Sequence, residues 1–287
     1  MAERTLGVIG GSGLYDLPGL EAVERTRVRT PFGDPSDEIV AGRLGDTRLL
    51  FLPRHGRGHR LLPSELPFRA NVWALKSLGA DCLLAVSAVG SLREEIAPGH
   101  VVVPDQFIDR TRGRQAESTF FGRGVVAHVP FADPFCPLLA RALVEAARSA
   151  HATVHTGGTY VCMEGPAFST RAESHLYRSW GAHVIGMTNL QEAKLAREAE
   201  LCFATLALAT DYDCWHSGHD DVQIEEILKV LAANVDLARR TVAELVSRIP
   251  APDCACPRAL EHAIITDRAL IPADVRRDLA PIAGRYL

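Results

Sequence analysis

Asp211 and Asp213, two residues apart, close the stretch Thr-Leu-Ala-Leu-Ala-Thr-Asp-Tyr-Asp-Cys-Trp that runs from Thr205 to Trp215. The first half of the stretch is apolar and uncharged, as a strand covered on both faces of a parallel sheet must be. Extended backbone alternates its side chains, so both carboxylates are expected on one face and Tyr212 on the other. Open α/β sheets place their ligand chemistry at the carboxyl ends of such strands. A carboxylic acid kept neutral by burial and by a second carboxylate can hand a proton to a leaving group while its neighbour accepts a hydrogen bond. An Asp-x-Asp pair can equally end a strand as a turn or a helix cap, because Asp bonds its own local backbone. Which reading holds depends on whether the rest of the chain supplies partners.

Several other predicted strand ends carry groups suited to an anion. Leu6 to Ile9 runs into Gly10-Gly11-Ser12-Gly13, where the glycines let backbone amides approach a ligand. This is not the dinucleotide fingerprint, since Asp16 stands where its third glycine belongs. Leu49 to Pro53 leads into Arg54-His55-Gly56-Arg57-Gly58-His59-Arg60. That cluster is either a solvated basic loop or a set of guanidinium and imidazole groups for a phosphate. Cys82 to Ala88 ends in the small, hydroxyl-bearing run Ser87-Ala88-Val89-Gly90-Ser91, and His183 to Met187 is followed by Thr188. Gly158 to Met163 enters Glu164-Gly165-Pro166-Ala167-Phe168-Ser169-Thr170, where Gly-Pro breaks the strand and Ser169 or Thr170 with Glu173 predicts a helix start. The groups divide into a phosphate set (Ser12, Arg54, His55, Ser87, Thr188) and a carboxylate set (Asp211, Asp213, with Phe168 and Ser169 as neighbours). Donors for an anion at one end, and acids beside aromatic and apolar residues at the other, suit a phosphate and a nitrogen heterocycle with a sugar between them.

The elements that position these groups alternate. Helices are predicted over Arg69 to Leu78, Pro137 to Ala150 and Gln191 to Glu200, with a further strand at Val101 to Pro104 and a long polar loop over Phe107 to Arg123. Ile224, Ile227, Leu228, Leu231, Val235, Ala238, Val242 and Leu245 mark a long amphipathic helix. The expected class is α/β, a mostly parallel central sheet covered by helices, in one domain over residues 1–250. Residues 251–287 read as a tail that packs on its own or a neighbouring subunit.

Composition sets limits on partners. The chain has 287 residues, 47% hydrophobic and 23% charged, with net charge −4, which gives no sequence-wide reason to expect nucleic acid or an anionic membrane. No apolar run reaches the roughly 18 to 20 residues that span a bilayer, and no signal-peptide core follows Met1, so the expected location is cytoplasmic. Of the seven cysteines, five stand singly in apolar surroundings as small hydrophobes do. The pair Cys254-Ala-Cys256 lacks the usual spacing of a zinc knuckle. Redox, disulfide and plain thiol readings of it remain open.

The segments Gly10-Gly-Ser-Gly13, Thr30-Pro-Phe-Gly-Asp-Pro-Ser36, Arg54-His-Gly56, Gly90-Ser-Leu-Arg-Glu-Glu-Ile96, Asp105-Gln-Phe-Ile-Asp-Arg-Thr111, Glu164-Gly-Pro166 and Ala209-Thr-Asp-Tyr-Asp-Cys-Trp215 closely resemble those of the 5'-methylthioadenosine phosphorylases, in order over about residues 5 to 250. The resemblance implies a purine nucleoside phosphorylase-like fold, a homotrimer or a dimer of trimers, and a place in purine and methionine salvage. It implies no cofactor or metal, inorganic phosphate being a co-substrate. The reaction implied is phosphorolysis of S-methyl-5'-thioadenosine to adenine and 5-methylthioribose 1-phosphate. Carried over residue by residue, the phosphate ligands fall on Ser12, Arg54, His55, Ser87, the Ala88 backbone and Thr188. The ribose contact falls on Met187, the purine contacts on Phe168, Ser169, Asp211 and Asp213, and the alkylthio neighbours on His59, Val222, Ile224 and Ile227. In this reading Asp211 protonates N7 of the leaving base, Asp213 accepts from the 6-amino group, and Arg54 and His55 orient phosphate and balance its charge.

A 6-oxopurine enzyme would be expected to carry an amide at position 211, so a 6-oxopurine nucleoside or methylthioinosine phosphorylase is the alternative substrate reading. A hydrolytic nucleosidase, a non-catalytic nucleoside-binding protein and a nucleic-acid surface at Arg57 to Arg60 are the alternatives from other classes. The chain departs from common family residues at Pro67-Phe68, Ala167 and Asn189-Leu190-Gln191. Its tail is similar to the longer, cysteine-bearing tails of some microbial members, in which disulfides occur.

Overall fold

A computed structural model describes residues 4–11, 13–216 and 224–287, with 224–229 and 231 described by backbone alone. Strands β1 (Arg4–Gly10), β2 (Glu21–Thr26), β3 (Ile39–Leu44) and β4 (Thr47–Pro53) come first, then helix α1 (Phe68–Ser77). They are followed by β5 (Cys82–Ser91), β6 (Val101–Val103), β7 (Gln106–Arg110), α2 (Pro137–Ser149), β8 (Val154–Thr156) and β9 (Thr159–Met163). Helix α3 (Arg171–Ser179), β10 (Val184–Gly186), α4 (Asn189–Glu198), β11 (Cys202–Asp211), α5 (Ile224–Val246), α6 (Ala273–Asp278) and α7 (Ala280–Ala283) complete the described chain.

One sheet holds all these strands, along the path β2-β3-β4-β1-β5-β10-β9-β7, with β11, β6 and β8 branching from β5. Six of its pairings are parallel and four antiparallel, so the sheet is mixed. Strand β5 is its hub. On one edge it pairs with β11 from Cys82 to Gly90. On the other it pairs with β1 over Cys82 to Ala85, then with β10 only at Gly90 and Ser91. Residues 86–89 therefore have no strand beside them on that edge among the described residues.

The core explains why β5 and β11 are apolar at almost every position yet still obey a period of two. Leu83, Ala85 and Phe203 face α1 and α4, whereas Leu84, Ala204, Leu206 and Leu208 face α2 and α5. Both faces are covered, so the few polar side chains on them pair internally, as Thr205 Oγ1 does with Asn189 Oδ1 at 2.7 Å. The tail packs on its own chain: Ile271, Val275, Leu279 and Ile282 join the core under α1, and Trp73 Nε1 donates to the Asp278 carbonyl at 2.9 Å. Buried Glu200 accepts hydrogen bonds from Leu260 N (2.9 Å) and the Tyr286 hydroxyl (2.8 Å).

Three expectations are corrected. Phe107 to Arg123 is not simply a loop: it opens with β7, whose Phe107 and Ile108 pair with Tyr160 and Val161 of β9. Strand β2 was not foreseen, because it is exposed along most of its length and has no apolar alternation to read, and its antiparallel partner β3 was missed with it. The organising strand ends at Asp211, after a register shift beyond Ala209. Asp213 has φ of 45° and opens a 3-10 turn, so the extended-chain argument for placing both carboxylates on one face fails.

Leu206 is fully buried between β11 and its helices. Leu206→Ala should destabilise the protein by about 2–5 kcal/mol, through lost transfer energy plus the cavity left behind. A lower denaturant midpoint at unchanged slope is the expected reading.

Candidate active site

A cavity of about 450 Å³ opens at the carboxyl ends of β1, β4, β5, β10 and β11. Its size is that of a small-molecule site. Arg54, His55, His59, Ser87, Ala88, Phe168, Met187, Thr188, Asp211 and Asp213 line it, so the turn after β11 achieves what the strand geometry was expected to do. Ser169 does not line it: its buried hydroxyl lies 3.7 Å from Met163 Sδ. Ser12 and Val222 fall outside the described residues. Ile224 and Ile227 lie in the first turn of α5, where only the backbone is described.

At the phosphate-type end, Ser87 and Ala88 occupy the stretch of β5 that has no strand on that side. The Ser87 hydroxyl lies 3.1 Å from the Tyr160 hydroxyl behind it. Gly186 lets that ring approach, since any Cβ there would collide with the Tyr160 hydroxyl. Thr188 precedes α4, and its hydroxyl makes no capping bond. The start of α4 therefore offers a hydroxyl and the positive end of the helix dipole, while its Leu190 N–H bonds the Cys162 thiol.

Arg54 is buried and largely committed. Its Nε and Nη2 bond Glu192 at 2.5 and 2.9 Å, Nη1 donates to the Val86 carbonyl (2.8 Å), and Nη2 also donates to Ile9 O (3.2 Å). Burial opposes the charged guanidinium, but the Glu192 carboxylate outweighs it and keeps Arg54 protonated above its ordinary range. Four of its five N–H groups are thus used, and one on Nη1 is left for a ligand.

His55 donates from Nδ1 to the Leu61 carbonyl (2.8 Å) and stacks on His59 with centroids 4.2 Å apart. Burial, reinforced by the charge of Arg54, pushes its pKa down to about 4. Near neutral pH it is therefore uncharged, with Nε2 free to accept but not to donate. The basic loop turns its other cations away: Arg57 pairs with Asp37 and Glu38 at 3.0 and 3.1 Å, and Arg60 donates to Ser36 O.

At the other end Asp211 is tied down on both oxygens, accepting from the Thr210 hydroxyl (2.6 Å) and from the Asp213 backbone N–H (2.8 Å). Asp213 Oδ2 is buried with no hydrogen-bond partner among the described residues. Burial pushes the Asp213 carboxyl above its ordinary pKa, and the charge of Asp211 adds to the rise. Phe168 is 76% exposed at the rim. Met187 is seated by Arg114, which donates to its carbonyl and to that of Glu164, and by Gly165, where a Cβ would meet its sulfur at 2.5 Å.

The phosphorylase superfamily model matches residues 5–247. The chain belongs to this superfamily. Within it, the chain is 59% identical over 286 residues to S-methyl-5'-thioadenosine phosphorylase of Geobacter sulfurreducens, covering 99% of this chain and all of the relative. It is 57% identical to the enzyme of that name from Chloroflexus aurantiacus over 292 residues, covering 100% and 99% of the two chains. The crystal structure of a methylthioadenosine phosphorylase from an antarctic soil metagenomic library superposes with a TM-score of 0.92 at 46% identity, covering 98% of this chain and 99% of that one. A variant adenosine/methylthioadenosine phosphorylase of Schistosoma mansoni, solved with adenine, gives 0.81 at 36% identity, covering 98% of each chain. The family and the α/β fold read from the motifs are thereby confirmed.

Within this phosphorylase framework, sequence reasoning missed Glu192, Asn234 and Tyr160. Glu192 had a readable signal: it lies three and four residues before Leu195 and Ala196, on the apolar face of its own helix, where a lone acid demands a buried cation. Asn234, whose Nδ2 donates to Ala209 O at 3.3 Å and which lines the cavity, lies on α5 and carried no such mark.

Two measurements test the electrostatics. Glu192→Gln leaves the Arg54 charge buried and unpaired, and should cost about 3–5 kcal/mol of stability, read by chemical unfolding. Between pH 6.5 and about 4 the unfolded chain takes up a proton that folded His55 refuses, so its contribution to stability is present above that window and is lost as pH falls through it. In His55→Gln the fall in unfolding free energy across the window should be shallower than in the parent. An identical slope would refute the assignment.

Proposed function

We propose that the chain is an S-methyl-5'-thioadenosine phosphorylase. Inorganic phosphate attacks C1' of the thioribose, the bond from C1' to N9 breaks, and adenine and 5-methylthioribose 1-phosphate leave. The observation that carries this reading is a single cavity that joins the open edge of β5 and the start of α4 to an aspartate pair. Phosphate would take the Ser87 hydroxyl, the Ala88 backbone, the Thr188 hydroxyl, the remaining Arg54 N–H and, as the resemblance implies, Ser12. Neutral His55 would accept a proton-bearing phosphate oxygen at Nε2. Met187 would lie under the ribose and Phe168 against the purine.

Departure of the purine needs a proton at N7, because the oxocarbenium-like sugar leaves both bonding electrons on the base. Asp211 would deliver that proton and Asp213 Oδ2 would accept from the 6-amino group. The upward shift of Asp213 helps retain a proton in the pair. Leu14, Pro63, Val235 and Ala238 line the cavity and, with His59, Val222, Ile224 and Ile227, would receive the methylthio group. A free 5'-hydroxyl would be poorly paired among them.

The chemistry so described needs no cofactor besides phosphate as co-substrate. A homotrimer in the cytoplasm, serving purine and methionine salvage, completes the proposal.

Base release from methylthioadenosine and from methylthioinosine, each with and without phosphate, tests it. Adenine should appear only with phosphate, and hypoxanthine should be minor. Asp211→Asn should lower kcat/KM for methylthioadenosine by about 10²–10⁴-fold, the usual worth of a general acid. Dominant hypoxanthine release would overturn the base assignment, and turnover without phosphate would overturn phosphorolysis.

A further inference from the structure

At the opposite end of β11 from the aspartates, four cysteines from three remote parts of the chain converge. Cys202 is the first residue of β11, Cys136 immediately precedes α2, and Cys254 and Cys256 begin the tail after α5. Their sulfurs all lie within 4.8 Å of one another. Cys254 Sγ is 3.5 Å from Cys202 Sγ and 3.9 Å from Cys136 Sγ. Cys136, Cys202 and Cys256 are buried, and Cys254 is half-buried. We propose that Cys136, Cys202, Cys254 and Cys256 form a structural zinc site that clasps the C-terminal tail to the body of the fold.

The distances favour one ion over crosslinks. A tetrahedral zinc with Zn–S bonds of about 2.3 Å separates its sulfurs by roughly 3.8 Å, which the two spacings above bracket. Two disulfides could also engage four thiols, but each would draw its sulfurs to about 2.05 Å, whereas all four cysteines here are free thiols, with Cys254 Sγ at 3.5 and 3.9 Å from its neighbours. A two-iron cluster divides its thiolates between two metals and needs them further apart. Four thiolates close the coordination sphere, so the ion has no open position for a substrate and its role is structural. The half-buried Cys254 marks the entry side. Cys82, paired with Cys202 in the register and hydrogen-bonded to its side chain, is outside the four whose sulfurs all lie within 4.8 Å of one another, and its sulfur also accepts from Arg4 Nη2 at 3.2 Å.

The location gives the ion its effect. Asp211 lies nine steps along β11 from Cys202, roughly 30 Å at about 3.3 Å per residue, so the ion is remote from the cavity. The ligands on the tail follow the end of α5 and precede the segment that packs under α1, and the bond energy would hold that segment in place. Zinc binding to a site that the unfolded chain does not offer is folding energy.

The test uses the full chain purified under reducing conditions without chelator. Elemental analysis should find about one zinc per chain, released when a mercurial blocks the thiols and detected with a chromogenic indicator. Cobalt(II) added to zinc-stripped protein should give thiolate-to-cobalt charge transfer and the visible bands of a tetrahedral ion. Cys254→Ser with Cys256→Ser should cut zinc content about tenfold or more, whereas Cys214→Ser, outside the cluster, should leave it unchanged. If the double variant does not fold, the mercurial and cobalt readings on the parent chain decide. Reduced protein that holds neither zinc nor tetrahedral cobalt overturns the proposal, as does zinc that persists in a folded double variant. A disulfide among these four residues in protein that takes up no metal after reduction overturns it as well.

Discussion

A buried backbone N–H needs a partner, and β5 is built so that a few of its residues lack one on one edge. It pairs with β1 as far as Ala85 and with β10 from Gly90, while β11 runs unbroken along its other side. The gap cannot close by sliding a strand across, because β1 and β10 are fixed by β4 and β9. The sheet must therefore splay at residues 86–89, and the cavity is that splay. Gly10, Arg54, Thr188 and Asp211 reach it because the strands that carry them end at the same level. Polar groups in the middle of a covered sheet thus become a site for a polar ligand rather than a cost to stability.

The charges around the gap are largely settled within the protein. Glu192 balances Arg54, and burial keeps His55 neutral. Under the proposed function, what would remain for phosphate is a set of dipoles: a backbone amide at β5, the start of α4, hydroxyls at Ser87 and Thr188, and one guanidinium N–H. Such groups are fixed before a ligand arrives and need little reorganisation as charge shifts during bond cleavage. In the proposed reaction the aspartate pair would work by the same logic with opposite sign. Thr210 and the Asp213 N–H hold Asp211, whereas Asp213 Oδ2 keeps its acceptor capacity in a buried position. Arg114, Tyr160 and Gly186 touch the site from behind, setting Met187 and Ser87 at their positions.

Strand β11 links the two ends of the molecule. Its carboxyl end supplies the acids, and its amino end meets the tail through Cys202 and, just before it, Glu200 with Leu260, Arg285 and Tyr286. A rigid strand with both faces covered transmits position well and tolerates little local change.

The alternation of apolar strands and amphipathic helices, the Gly-rich and basic strand ends, and Asp211 with Asp213 were legible in the amino-acid order, because each is a local pattern with a local physical cause. Thr170 with Glu173 is another: both halves of the predicted capping box are present. The parts that were not legible depend on distance. Strand β2 has no apolar pattern because it is exposed at the sheet edge. Glu192 could be read as a buried acid, but that its cation is Arg54, 138 residues away, could not, and Ser169 faces Met163 instead of the cavity. The Cys254-Ala-Cys256 spacing argued against a metal, since two ligands at that spacing do not make a site. Only the tertiary structure brings Cys136 and Cys202 to them. Sequence sets which chemistry each segment can offer, through propensity, period and charge. Which groups share a volume of a few hundred cubic ångströms, and which charges cancel before a ligand arrives, is decided by long-range packing that no local pattern encodes.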